Sequence, residues 1–455
     1  MAKRPANLTY GVDDRPPLSV LFLLAVQHIF LMSSTLVLPV VLVSEIGGTF
    51  GQVRAVVALT MVACGIGTII QTIRWGRLGS GFLCPNLCGP NFFTASVEAA
   101  WLGGLPLMRG MTIAAGLVEA VFASVVHRLR FLFPPEITGL VVLMVAVGLI
   151  PLGASKCFGI NYEGEPIRGV NLLVAALTVM IMVGINIRSR GRLKLYSVLI
   201  GLACGYLLSA AAGLLTGAQF VQVLSAPWAA LPSFKGMFAL DFRWSLLPGF
   251  AIVSITGALK SFGNLIMCEK VNDDDWKEPD IRRIGGGLLA DSICVGLSGL
   301  LGGMASDTSA SNVALSSASG ATSRWIGVMA GGLFIALAFS PKIGSLFSIM
   351  PTPVMGAILV FVTCFMIMSG IQIIMGSGSD QRKVFVIGIP LIFGLSLEIL
   401  PALYASVPYW LRPLASSSLT LSTVLAVVLN QVLRSAPIKP SMALPGDEGS
   451  QGKDH

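Results

Sequence analysis

Lys260 lies within Ile255-Thr-Gly-Ala-Leu-Lys-Ser-Phe-Gly-Asn264, a stretch that otherwise reads as part of a membrane span. Asp307 lies in a second such stretch, Gly302-Gly-Met-Ala-Ser-Asp-Thr-Ser-Ala-Ser-Asn312, interrupted by Gly and Ser. Ionisable groups at bilayer depth are costly, so they usually face a cavity and mark a substrate or ion path. Lys260 and Asn264, four residues apart, share one helix face and could donate hydrogen bonds to a ligand's oxygens. Lys260 could instead be a fixed partner of Asp291 or Asp307, locking the core without touching a ligand. No nucleophile–base set or metal-ligand cluster accompanies these residues, so the chain reads as a non-enzyme without a cofactor. Cys84 and Cys88 lack a His or a second Cys pair and read as small packing residues. Asp273-Asp-Asp has no metal-loop glycine spacing and reads as a solvated face.

The elements that must carry these groups follow from composition. The chain has 455 residues, 54% hydrophobic and 11% charged, with a mean hydropathy of +0.82. Apolar runs of about 20 residues recur along it, each able to cross a hydrocarbon core, so the expected class is an all-α polytopic membrane protein. Fourteen spans are expected, near 19–43, 52–73, 86–100, 105–126, 136–154, 169–187 and 194–216, then 246–268, 285–303, 306–320, 324–340, 352–372, 384–400 and 415–434. Met1–Pro17 is polar and leads straight into the first span, so no cleavable signal is expected there. The net charge of +8 does not require nucleic acid, because the basic residues lie in short loops. Roughly two-thirds of the Lys and Arg fall in the tails and the loops after even-numbered spans, which puts both termini in the cytoplasm. Lys156 and Arg109 are assigned to outer loops on this scheme.

Two sets of seven spans must have opposite topology. The third and tenth spans are short, broken by Gly, Pro, Ser and Asn, and hold the same place in each set. Pro134-Pro-Glu-Ile-Thr-Gly139 and Pro351-Thr-Pro-Val-Met-Gly356 open spans five and twelve with weak similarity. Paired broken spans in inverted halves point to a midplane binding site of a secondary transporter, because a break exposes N–H and C=O groups that lipid cannot satisfy.

These residues resemble the nucleobase–ascorbate transporter family of uracil, xanthine and uric acid permeases over nearly the whole chain. The matching segments are Gln27-His28, Gly89-Pro-Asn-Phe92, Phe133-Pro-Pro-Glu-Ile-Thr-Gly139 with Gly148-Leu-Ile-Pro151, Ala290-Asp291 with Gly299-Leu-Leu-Gly-Gly303, and Asn312 with Ser323-Arg324. The resemblance implies a core domain from 19–126 and 246–340 and a gate domain from 127–216 and 341–434. These are flanked by tails 1–18 and 435–455 and joined by a loop at 217–245. It also implies short extended segments in spans three and ten, and a homodimer in the inner (plasma) membrane. Departures matter as well. The family's base-binding Glu of span eight is Lys260, the Gln or Glu before the signature Asn is Ser311, and Ala314 replaces a signature Gly.

By this resemblance Phe92 would stack on a flat purine ring, or simply pack as an apolar residue. Ser311 and Asn312 would offer groups to the ligand or cap the break. His28, beside Gln27, is expected to be a structural residue hydrogen-bonded toward span eight rather than a proton carrier. Asp291 is the candidate proton site, with Lys260 opposing its protonation, and Asp307 could replace the missing acidic group. The implied activity is proton-coupled uptake of uric acid or xanthine by alternating access. An anion carrier of the same fold or a pyrimidine permease is the alternative.

Overall fold

The computed structural model describes residues 5, 8–129, 134–159, 168–189, 196–231, 239–277, 279–376, 381–400, 404 and 418–434. Phe133 and the tail 435–455 lie outside the described residues. The first half contains α1 (Leu18–Ser33), α2 (Val37–Glu45), α3 (Phe50–Thr72), the extended β1 (Asn86–Cys88), α4 (Phe93–Leu129), α5 (Pro135–Phe158), α6 (Gly169–Arg188) and α7 (Ser197–Ala211). A short α8 (Gly217–Ser225) lies in the segment expected to be loop. The second half contains α9 (Leu247–Asn272), α10 (Ile281–Leu301), β2 (Ser306–Thr308), α11 (Ala310–Ser319), α12 (Arg324–Ala338), α13 (Pro341–Ser348), α14 (Thr352–Gly376), α15 (Gln381–Ile399) and α16 (Ser418–Arg434).

The expected span three comprises β1 and the first half of α4, and span four its second half; α4 leaves helical geometry between them at Gly103 and Gly104, the latter at φ +68°. Among the described residues, eight helical stretches are long and apolar enough to cross a membrane, or nine if the bent pair α12–α13 counts as one. The other expected spans coincide with elements that are shorter or less apolar, including α7, α11 and α16. Two basic residues assigned to outer loops are in fact buried at helix ends. Arg109 donates to the carbonyls of Gly299 at 3.2 Å and Leu300 at 2.8 Å, where the last carbonyls of α10 lack helical partners. Lys156, in the last turn of α5, pairs with Glu45 of α2 at 2.6 Å. Sequence position alone suggested loops, but the unsatisfied helix ends supplied partners for both cations.

Packing sorts the helices into two groups. Helices α1, α3 and α4 pack against α9, α10 and α12, whereas α5, α6 and α7 pack with α14, and α16 packs on α5 and α15. The α5–α14 contact is the closest kind. A Cβ on Gly139 would lie 2.8 Å from the Gly370 carbonyl oxygen, and one on Gly370 would lie 2.8 Å from the Gly139 carbonyl oxygen. Near the other end, a Cβ on Gly356 would meet the backbone nitrogen of Cys157 at 2.3 Å. The two helices therefore run antiparallel, with backbones in contact through small residues, the arrangement that substitutes for a hydrophobic driving force in lipid. Because the opposing atoms are backbone, Gly139→Ala is expected to destabilise the protein by about 1–3 kcal/mol. Thermal unfolding in detergent checks this against Gly184→Ala, where an added Cβ meets open space. Equal transitions for the two variants would contradict the tight-contact reading.

Candidate functional site

The site is built where β1 and β2 meet. They pair antiparallel with Leu87 opposite Asp307 at the centre, flanked by Asn86–Thr308 and Cys88–Ser306, and all six residues are buried. The ladder is extended by Gly89 N–H to Ala305 O at 2.9 Å and by Ser309 N–H to Pro85 O at 3.0 Å. The flanking sequence explains the breaks. Pro85 and Pro90 cannot donate to a helix, Gly302 ends α10 at φ +91°, and Gly89 has room only for hydrogen, since a Cβ would lie 2.9 Å from that of Asp307. Both strands feed directly into helices. Ser309 caps α11 by accepting from Asn312 N–H, and Pro90–Phe92 form a single turn ahead of α4.

A cavity of about 1040 Å³ opens against this crossing. Lys260, Asn264, Thr308 and Ser311 line it, with Asn91 from the first break. It extends past Thr138 at the start of α5 and Asn186 at the end of α6 to Ser369 and Ile373 near the end of α14. Lys260 Nζ lies 2.6 Å from Asp307 Oδ2, with side-chain exposures of 27% and 1%. Asn91 Nδ2 donates to the same carboxylate oxygen at 2.7 Å. The Lys260 ammonium thus belongs both to a fixed ion pair and to the cavity wall. An ammonium has three donors and its described polar contact is Asp307, so donors remain for a ligand.

Asn264 Nδ2 donates to Thr308, at 3.3 Å to its carbonyl oxygen and 3.0 Å to Oγ1. The expected donor to a ligand is therefore turned toward the strand. Phe92 is buried, with its ring over Gly257 of α9, and is not among the residues that line the cavity. Asn312 is also buried and accepts from His28 Nδ1 at 2.7 Å, while its amide donates to Ser309 Oγ at 2.8 Å. The His28 partner is thus on α11, the tenth expected span, and not on the eighth. The reach of α1 to α11 decides this, and no spacing along the chain encodes it. Gln27 is buried with Oε1 unpaired among the described residues.

Asp291 lies one layer behind the wall. It accepts from Asn86 Nδ2 at 2.7 Å and from the hydroxyl of Ser261. That hydroxyl also meets Thr308 Oγ1 at 2.7 Å, so Ser261 connects the wall to the buried acid. Asn91, Asn86, Ser261, Thr308 and Glu119 were not assigned roles from sequence. Asn91 sits in the broken third span, and Glu119 is a carboxylate inside the apolar run 105–126, the same signal that singled out Lys260.

The chain is thus a helical membrane protein in which broken helices meet as paired strands beside a mostly apolar cavity that carries a few polar groups. Its fold is shared with the transmembrane domain of the cyanobacterial bicarbonate transporter BicA, at TM-score 0.56 and 12% identity, covering 93% of this chain and 100% of that one. It is also shared with the murine anion transporter Slc26a9, at TM-score 0.59 and 8% identity, covering 93% and 69%. The sequence model of the Permease family (Xan_ur_permease) matches residues 19–403, and the chain belongs to that family. Similar relatives are a Clostridium perfringens protein named as a candidate purine permease, 28% identical over 95% of this chain and 94% of its own length, and the xanthine permease XanP of Escherichia coli, 26% identical over 94% and 95%. The uric acid permease PucJ of Bacillus subtilis is 27% identical over 90% and 91%. The protein is a permease and not an enzyme.

Removing one partner of a mostly buried ion pair strands the other charge. Asp307→Asn is therefore expected to lower stability by about 2–4 kcal/mol. The double variant Lys260→Met/Asp307→Leu should recover most of that loss in the same thermal assay, since it removes both charges. A double variant as unstable as the single one would show that the pair is not the source.

Proposed function

We propose that the protein imports a purine nucleobase, uric acid or xanthine, by alternating access coupled to proton entry. One observation carries this reading: the ammonium of Lys260 stands at the cavity wall beside the strand crossing. A cation that only donates suits an anionic or acceptor-rich ligand. Urate is largely a monoanion at neutral pH and has three carbonyl oxygens, whereas uracil is neutral with two. Lys260 would hold the ligand's oxygens, and the Asn264 carbonyl oxygen would accept a ring N–H. Ser311 at the start of α11 lies where first-turn N–H groups have no helical partner, which favours negative charge. Phe92, packed against Gly257, lies behind the wall in this state. The relatives named for xanthine and uric acid support the same class of ligand.

The domain reading assigns α1–α4 with α9–α12 to a core and α5–α7 with α14–α16 to a gate, in an inverted fourteen-span repeat. Its support is the pairing pattern. β1 meets β2 and α5 meets α14, while α3 with α12 and α4 with α10 are the two contacts that a twofold exchange of the halves would interconvert. With cytoplasmic termini in the inner (plasma) membrane, the cavity extends toward the cytoplasmic side. The Glu45–Lys156 pair then ties core to gate on the opposite side. This arrangement corresponds to an inward-facing state. Homodimerisation belongs to the same reading. The Lys260 site also admits a second reading, carriage of a small non-nucleobase anion, and the fold shared with BicA favours it as the rival.

Lys260→Ala is expected to reduce labelled urate uptake roughly tenfold or more, as for loss of one charge-assisted contact, and to reduce uptake of a neutral purine less. Equal losses for both ligands would make Lys260 a structural residue. Inhibition of urate uptake by bicarbonate but not by xanthine would favour the rival reading.

A further inference from the structure

Glu119, on the second half of α4, is fully buried. Neither of its carboxyl oxygens receives a hydrogen bond from an N–H or a hydroxyl among the described residues. The polar group it meets is the carboxyl of Asp291 on α10. Two carboxylates are both acceptors, and buried side by side they repel. A hydrogen bond between them requires a proton.

We propose that Glu119 and Asp291 form a buried carboxyl pair that holds one proton between them, and that this proton is the one that enters with the substrate. The second half of the proposal rests on the proton-coupled reading above. The groups around the pair fit a proton store. Asp307 on β2, Lys260 on α9, Cys294 on α10, Cys64 on α3 and Cys84 just before β1 are the titratable neighbours. Lys260 is engaged by Asp307, so no full counter-charge is left for both remaining carboxylates. Asn86 and Ser261 each donate one neutral hydrogen bond to Asp291, enough to hold one anionic charge on the pair but not to separate two.

A path to the cavity is in place. Asn264 Nδ2 donates to Thr308 Oγ1, which leaves the Thr308 hydroxyl proton directed to Ser261 Oγ. Ser261 in turn donates to Asp291. Thr308 lines the cavity. A proton arriving from cavity water at Thr308 Oγ1 displaces the threonine proton to Ser261, and the serine proton passes to Asp291 Oδ2. One proton leaves the cavity and one appears on the pair, whose charge changes from −2 to −1. Each hydroxyl ends with the proton count it began with, and its reorientation resets the chain. Losing the proton sets two negative charges face to face, so the pair reloads whenever a donor reaches the wall.

The test uses the full chain in proteoliposomes, with labelled urate and xanthine, an inward-acid gradient and a trapped pH dye. Glu119→Gln keeps the shape of the side chain and removes the second carboxyl. The expected result is a fall in gradient-driven accumulation of roughly tenfold or more, equivalent to at least one pH unit of lost proton affinity, with loss of substrate-dependent proton influx and a flattened pH profile. Exchange of preloaded substrate should persist, which also reports folding. Accumulation and pH profile like those of the wild type would overturn the proposal. Infrared spectroscopy gives a second readout independent of transport. A protonated-carboxyl C=O stretch should be present in the wild type and lost in both Glu119→Gln and Asp291→Asn. A band that survives Glu119→Gln unchanged would overturn the shared proton. If wild-type flux carries no protons while the band behaves as expected, the coupling reading fails and the carboxyl pair stands.

Discussion

An unpaired backbone amide in the hydrocarbon region costs several kcal/mol, and this chain breaks two of its apolar segments at that depth. The breaks are tolerable because each supplies the other's partners. Three residues of β1 and three of β2 form one short antiparallel ladder, closed at both ends by Gly89 and Ser309. The rest of the site depends on that pairing. It fixes Asp307 opposite Leu87, points α4 and α11 away from a common origin, and holds the Lys260 face of α9 against the crossing. Without the ladder, neither the cavity wall nor the hydroxyl chain behind it would have a defined geometry.

Charge in this layer is rationed in the same way. Lys260 and Asp307 neutralise one another, with Asn91 satisfying a further lone pair. Asp291 and Glu119 have each other, Asn86 and Ser261. A buried ion pair is weak evidence for stability, and under the proposed function its role is recognition. An apolar pair would fill the space but would leave no donor at the wall. The small-residue contacts between α5 and α14 serve another need. They bring the two helix backbones into direct contact at both ends of the pair.

Much of this was legible in the sequence because lipid makes polarity conspicuous. Lys260, Asp307 and the paired Gly- and Pro-rich interruptions stand out in apolar surroundings, and the strands form where the interruptions lie. What sequence gives is depth along a helix; it does not give the direction a side chain takes around it. His28 therefore bonds to Asn312 on α11 and not toward the eighth span, Phe92 packs against Gly257, and Asn264 turns its amide to Thr308. Arg109 and Lys156 look like loop residues in the sequence because basic residues of membrane proteins usually lie in loops. The carbonyls at the C-terminal end of α10 and the carboxylate of Glu45 hold them inside. Glu119 carried a readable signal, an acid within an apolar run, but no familiar motif surrounds it, and its meaning depends on facing Asp291.

The most direct measurement is uptake of labelled urate, xanthine and uracil into proteoliposomes holding the purified protein, with and without an inward-acid pH gradient. Accumulation of urate or xanthine that collapses when the gradient is removed is the predicted result, with uracil carried poorly. Preference for uracil, or purine accumulation indifferent to the gradient, would contradict a cationic purine site coupled to protons.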